Sequence, residues 1–177
     1  PYSVGLLKND SIIYSRLFKK TGKIELPEID FDYIAINPDI KLPEFNRNNN
    51  WMYNKSNLKP LKFKFLADLE NPKYRNVFYR PEITYNLYDG ISPGINLINR
   101  GIKNRPLSFE IFTQYASKEK KLIGSANFKY QLNNEIDNNY STLFNFFYTT
   151  NHYNENLRYQ VFSPSVIINF RDNKNLR

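Results

Sequence analysis

An all-β chain is what this sequence predicts: a few short strands of a small β-domain, then an antiparallel meander of long strands resembling part of an outer-membrane-type β-barrel. Three observations predict it. Apolar and polar residues alternate with a period of two over most of the chain, the pattern of a strand with two unlike faces. Aromatic residues reach 16%, with 14 Tyr and 14 Phe, while mean hydropathy stays negative. Turn residues punctuate the alternating runs at regular intervals.

The first fifty residues read as short strands. "YSVGLL" and "SIIYSRLF" flank Asn9-Asp10, a turn pair able to take positive φ. Thr21-Gly22-Lys23 then turns into "KIEL", and "FDYIAIN" follows Pro27. In that run Phe31, Tyr33, Ala35 and Asn37 share one face, and Ile34 and Ile36 the other. Pro38-Asp39 and Pro43-Glu44 close the segment. Residues 1–45 are therefore expected to be the terminal strands of a β-domain, a sheet too small to be stable alone.

Residues 46–75 read as a linker and lead-in. "NRNNNWMYNKSNLKP" is polar and Asn-rich, with Trp51 and Tyr53 as its aromatic anchors. "LKFKFLADLENPKYRNVF" starts with strand-like alternation at Leu61, Phe63 and Phe65, and either continues so or turns helical around 66–69.

From residue 76 to 177 the pattern becomes a meander. Tyr79, Pro81, Ile83, Tyr85 and Leu87 oppose Phe78, Arg80, Glu82, Thr84 and Asn86. Ile91, Pro93, Ile95 and Leu97 fall together. Leu107, Phe109, Ile111 and Tyr115 oppose Ser108, Glu110 and Gln114. Leu122, Ala126, Phe128, Tyr130 and Leu132 oppose Ser125, Asn127, Lys129 and Gln131. Tyr140, Phe144, Phe146 and Tyr148 oppose Ser141, Asn145 and Thr149, and Phe162, Val166, Ile168 and Phe170 fall together at the end. Turns are expected at Asp89-Gly90, 103–106, 117–120, 133–139 and 154–156, with Asp89-Gly90 as the central pair of a two-residue hairpin.

Globular strands average roughly 5–6 residues, whereas strands of roughly 10 with alternating faces are the signature of a membrane barrel. Six such segments fall short of the roughly eight that the smallest membrane barrels need. The chain, starting mid-pattern without a visible signal peptide, is accordingly expected to be a fragment or processed product of something longer. The competing reading is a soluble antiparallel sheet with one wet face, a β-rich module whose Tyr- and Asn-rich side binds glycan or peptide.

The formal charge is +8. Residues 1–50 hold 7 Lys and Arg against 7 Asp and Glu, so the whole excess lies in 51–177. Lys118, Lys120 and Lys121 crowd one turn, and Arg100, Lys103 and Arg105 another. Clusters at turns, rather than along a strand face, fit headgroup contacts or solubility, so nucleic acid is not expected as a partner. There is no Cys, which excludes disulfides and thiolate metal sites.

Catalytic motifs are absent: there is no H-E-x-x-H, no G-x-S-x-G and no phosphate-cradling glycine loop. The single His152 has no second His or Cys beside it and reads as a surface or rim residue. Glu28, Asp30 and Asp32 would share one strand face and could hold a hard cation, but read more simply as a solvated row. Asp68 and Glu70 form a second acidic pair, and Glu110 would point into a polar lumen. No catalytic, cofactor-binding or metal-binding residue is assigned, and no cofactor is expected in this chain.

Three stretches carry a resemblance. "INPDIKLPEFNRNNNW" (36–51), "PLKFKFLADLENPKYRNVFYRPEITYNLYDGISPGINLINRG" (60–101) and "KKLIGSANFKY" (120–130) resemble bacterial gluzincin-type, aminopeptidase-N-like zinc metallopeptidases in which a barrel-like β-rich region follows the catalytic part. Asn37-Pro38-Asp39, Pro43-Glu44 and 46–51 match the run closing the peptidase part. Residues 65–81 match the lead-in, and 85–99 the opening hairpin of the barrel-like region. The resemblance covers residues from about 30 onward and is structural, since the zinc motif lies upstream of anything present here. It implies a non-catalytic C-terminal part of a zinc peptidase at the bacterial outer membrane. Its partners would be outer-membrane lipid and the rest of the parent chain or other outer-membrane subunits.

Overall fold

The computed structural model describes residues 1–44, 47–56, 58–66, 70–99, 105–133 and 139–171. Among these residues there is no α-helix, only a 3-10 turn at Asn48–Asn50 and eleven strands. They divide into two units, Pro1–Lys62 with Glu70–Asn76, and Phe63–Leu69 with Val77–Arg177.

The first unit is built on a four-stranded sheet of β1 (Tyr2–Lys8), β2 (Ser11–Phe18), β3 (Tyr33–Ile36) and β4 (Trp51–Tyr53), in the order β2-β1-β3-β4. Its three pairings are antiparallel. The β1–β2 turn is the expected one: Lys8 pairs with Ser11, and Asn9 and Asp10 both take positive φ, 49° and 65°. Such a turn matches the right-handed twist of the flanking strands. Leu7, Tyr33, Ala35 and Trp51 form a buried cluster, with Tyr53 packed against it. Tyr33 meets Trp51 edge-on at 6.3 Å and Tyr53 at 5.2 Å between ring centroids. The Lys73 ammonium sits 5.0 Å from the Trp51 ring centroid. Alternation on β3 is as expected, with Tyr33, Ala35 and then Asn37 buried.

Two expectations for this unit are corrected. "KIEL" is not a strand; residues 19–32 run without strand pairing. Trp51–Tyr53 is not a connector but the edge strand β4, because Trp51 completes the apolar cluster. Burial of that ring outweighs the polar, Asn-rich context that made the segment look like a linker.

A seven-stranded sheet in the order β11-β10-β9-β8-β7-β6-β5 makes up most of the second unit, only the first two residues of β5 and of β6 being counted with the first. Its strands are β5 (Leu61–Phe65), β6 (Arg75–Asn86), β7 (Gly90–Ile98), β8 (Leu107–Ala116), β9 (Lys121–Asn133), β10 (Asn139–Asn154) and β11 (Leu157–Phe170). From β6 to β11 each strand pairs antiparallel with the next, a simple meander. These six strands run 12, 9, 10, 13, 16 and 14 residues. The sheet is open, with β5 and β11 at its edges, and every residue of β11 is exposed. Leu61–Phe65 takes the strand alternative, while residues 67–69, where a helix was the other option, lie outside the described residues.

Two glycines mark where this sheet needs special backbone. Gly124 in β9 has φ +139°, and a Cβ there would lie 1.9 Å from the Phe112 carbonyl oxygen. Any side chain would push β8 away, so Gly124 permits the close approach of the two strands. Gly90 has φ +71°. It opens β7 after a turn of Leu87, Tyr88 and Asp89, because Asn86 pairs with Gly90. The expected two-residue Asp89-Gly90 turn is thereby corrected: Asp89 does not take positive φ, and its side chain turns inward.

Candidate functional site

The registers place the apolar faces of six strands on the same side of the sheet. Tyr79, Leu97, Ile111, Ala126, Tyr148 and Phe162 form one continuous row across β6 to β11. The same side takes the odd residues of 79–85, 91–97 and 107–115, and the even residues of 122–132, 142–148 and 162–168. No Asp, Glu, Lys or Arg occurs among these positions. Yet this is an exposed face: Ile83 is 75% exposed, Tyr85 71% and Phe162 61%. An open groove of about 360 Å³ runs along it beside Phe128, Tyr130, Phe144, Phe146, Pro164 and Val166.

The opposite face is polar or mixed and less exposed. It carries Arg80, Glu82, Glu110 and Lys129. Phe112, Leu143 and Phe147 also lie there, so it is not uniformly hydrophilic. Three of these charges, Arg80, Glu82 and Glu110, are linked. Arg80 pairs with Glu82, and Asn96 donates to Glu82 at 3.3 Å and to Glu110 at 3.2 Å. Gln114 donates to the Thr84 hydroxyl at 2.7 Å and to the Ser92 carbonyl at 3.1 Å. Ser92, Asn96 and Gln114 are buried, the reverse of what a water-soluble sheet does with its polar residues.

The sheet also contains a buried pair that the sequence did not announce. His152 Nδ1 lies 2.6 Å from Asp89 Oδ1, with both side chains fully buried. The Asn86 amide donates to Asp89 Oδ2 at 2.7 Å, and the Asn86 side-chain oxygen accepts the Asp89 N–H at 2.7 Å. Both carboxylate oxygens are thus acceptors, which makes Nδ1 the proton-bearing nitrogen of the imidazole. Nε2 is buried without a hydrogen-bond partner. Among the described residues no hydroxyl is hydrogen-bonded to that nitrogen, and the pair joins two distant chain segments. The expectation of a surface or rim histidine is corrected. Strand β10 carries His152 into contact with a turn 63 residues earlier in the chain.

The remaining candidates disperse. Glu28, Asp30 and Asp32 do not share a strand face, since that stretch is not a strand. Asp30 pairs with Lys8 at 2.7 Å and Asp32 with Lys55 at 3.2 Å. The Asn9 N–H, then Lys55, hold the Asp32 carboxyl below the usual carboxylate range. Glu70 accepts from Asn48 at 2.9 Å, and Asp68 lies outside the described residues. Among the described residues no group of three or more His, Cys, Asp or Glu is arranged to hold a metal ion. In the basic turn, Lys118 donates to the Leu87 carbonyl at 3.2 Å and lies 3.8 Å from Glu155. Arg100 and Lys103 lie outside the described residues.

Comparison of the chain with protein-family models, curated proteins and solved structures finds no match.

Proposed function

We propose that this chain is a non-catalytic part of a larger protein and anchors it in the bacterial outer membrane, with β6 to β11 as barrel strands. The observation that carries this reading is the apolar face that crosses six strands without Asp, Glu, Lys or Arg until Arg158 beside the β10–β11 turn, backed by a face that carries more of the charges. In water such a surface is a liability, since soluble proteins rarely expose apolar patches beyond a few hundred Å². Against lipid it is the required surface. Strand length supports the same reading: a tilted membrane strand needs roughly 9–11 residues, and the shortest of the six has 9.

The open edges say what else the anchor needs. In hydrocarbon each unpaired backbone group costs several kcal/mol, so a spanning sheet must close. The outer edge of β11 would therefore pair with further strands, of the parent chain or of another outer-membrane subunit. The resemblance to gluzincin-type peptidases supports a zinc peptidase as the parent. The chain itself would show no peptide hydrolysis with added zinc.

The test uses the full chain with and without phosphatidylethanolamine–phosphatidylglycerol vesicles. It is expected to float with the vesicles and to gain protease protection over β6 to β11. A monomer that folds cooperatively in buffer and stays with the soluble fraction would sink the anchor. That result would favour a soluble module binding glycan or peptide.

A further inference from the structure

The last hairpin, β10 and β11, is set apart by where its charges stop. Residues 139–154 and 159–170 contain no Asp, Glu, Lys or Arg on either face. Strands β6, β8 and β9 each carry at least one such residue. Along β11 the uncharged run is bounded by Arg158 near one end and by Arg171 just past the other.

Both arginines are held in place. Arg158 Nε donates to the Thr150 hydroxyl, and Nη2 donates to the Leu122 carbonyl at 3.1 Å. These bonds tie the guanidinium across β10 to β9 and leave Nη1 for a further acceptor. Arg158 is exposed, and it falls on the apolar side of the sheet with Phe162, Pro164 and Val166. The Arg171 guanidinium sits 5.1 Å from the Tyr140 ring centroid, a cation–ring contact.

The spacing of the two matches a membrane. An antiparallel strand rising about 3.4 Å per residue covers about 44 Å from 158 to 171. Tilted by about 35–45°, as barrel strands are, it climbs about 31–36 Å along the membrane normal. An apolar band about 25 Å tall fits between the arginines and leaves each a few ångströms outside it. Headgroup phosphates lie at that level, and the planar fork of a guanidinium suits them. We infer that Arg158 and Arg171 bind lipid headgroup phosphates of opposite leaflets and thereby fix the depth at which β11 crosses, with Pro164 and Ser165 at the midplane. This rests on the anchoring reading above and adds a depth and a lipid contact to it.

The chain has no Cys, so an introduced one is its unique thiol. Gln160→Cys, Val166→Cys and Phe170→Cys, all at exposed positions of β11, each carry a fluorophore in the full chain. The labelled chain is reconstituted with phosphatidylethanolamine–phosphatidylglycerol vesicles containing a quencher either deep in the acyl chains or at the headgroups. Val166→Cys is expected to be quenched most by the deep quencher, and Gln160→Cys and Phe170→Cys by the shallow one. Adding Arg158→Gln is expected to shift the Gln160→Cys label toward the deep quencher. Arg171→Gln should do the same for Phe170→Cys, and the two arms guard against one variant failing to fold. Vesicle-bound chain whose three labels lie at one depth, or in which neither glutamine moves its label, overturns the depth assignment and leaves the anchor standing. Chain found in the soluble fraction overturns the anchor and the depth together.

Discussion

The two sheets of this protein use the same alternation for opposite ends. In the four-stranded sheet the apolar face of Leu7, Tyr33, Ala35 and Trp51 is inside: Ala35 is fully buried, and the other three nearly so. In the seven-stranded sheet the apolar face is outside, and Ser92, Asn96, Gln114 and Ser141 are buried instead. The first arrangement is stabilised by removing apolar surface from water, roughly 25 cal/mol for each Å². The second forgoes that term over most of its area in water and gains it only if something apolar covers the face. A period of two says that a strand has two faces. It does not say which face meets solvent, nor which solvent that is.

The comparison breaks most visibly at Trp51. Trp51→Ala is expected to destabilise the first unit by about 3–5 kcal/mol, the usual loss for a buried large aromatic. The ring's contact with Tyr33 and the cation contact of Lys73 go with it. Hydrogen exchange at β1 and β3 amides would report the loss. Protection unchanged at those amides would mean that the apolar cluster does not hold this unit together.

Ile111 tests the other sheet. It lies in mid-row between Leu97 and Ala126 on the apolar face. Ile111→Arg is expected to cost about 2–4 kcal/mol in a bilayer, as for a cation near the midplane of a barrel's lipid face. In water the same change should cost less, because Ile111 is only half-buried and an arginine there can reach solvent. Urea unfolding with and without vesicles separates the two. Trp51 is the sole Trp, so its fluorescence reads the first unit and should not move. An equal cost in both media would place this face against protein.

The smallest effect is one of pH. Burial, then the neighbouring Tyr74 and Tyr53, push the Tyr33 hydroxyl up to about 12 from 10.0. The folded state therefore favours the neutral phenol. Its stabilisation is complete below pH 10.0 and is lost as pH rises to about 12. Alkaline titration followed by Trp51 fluorescence should show a transition in that window, shifted upward in Tyr33→Phe. Superimposable curves would remove Tyr33 from the account. Ionisation should leave the seven-stranded sheet as it was.

Much of the fold could be read from the residues in order. Asn9-Asp10 was legible as a turn because two residues that tolerate positive φ separate two alternating runs. The six long strands were legible because a period of two sustained over about ten residues matches extended backbone and not a helix. Trp51 was harder. Beyond Met52 and Tyr53 its surroundings in sequence are Asn, Arg and Lys, and only the cluster with Leu7, Tyr33 and Ala35 makes its strand worth forming. The Asp89–His152 contact was not legible at all. An Asp before Gly looks like a turn residue and a lone His looks like a surface one, and nothing local says that they meet.

The sequence by itself determined that each long strand has an apolar and a polar face, because side chains on extended backbone point alternately to either side. It also determined that no thiolate chemistry is present. Only the tertiary structure decided that Tyr79, Leu97, Ile111, Ala126, Tyr148 and Phe162 fall on one side. A slip of one residue between any two strands would have turned the next apolar face over. Register is a relation between strands, fixed by turns and by pairing, and no single strand contains it.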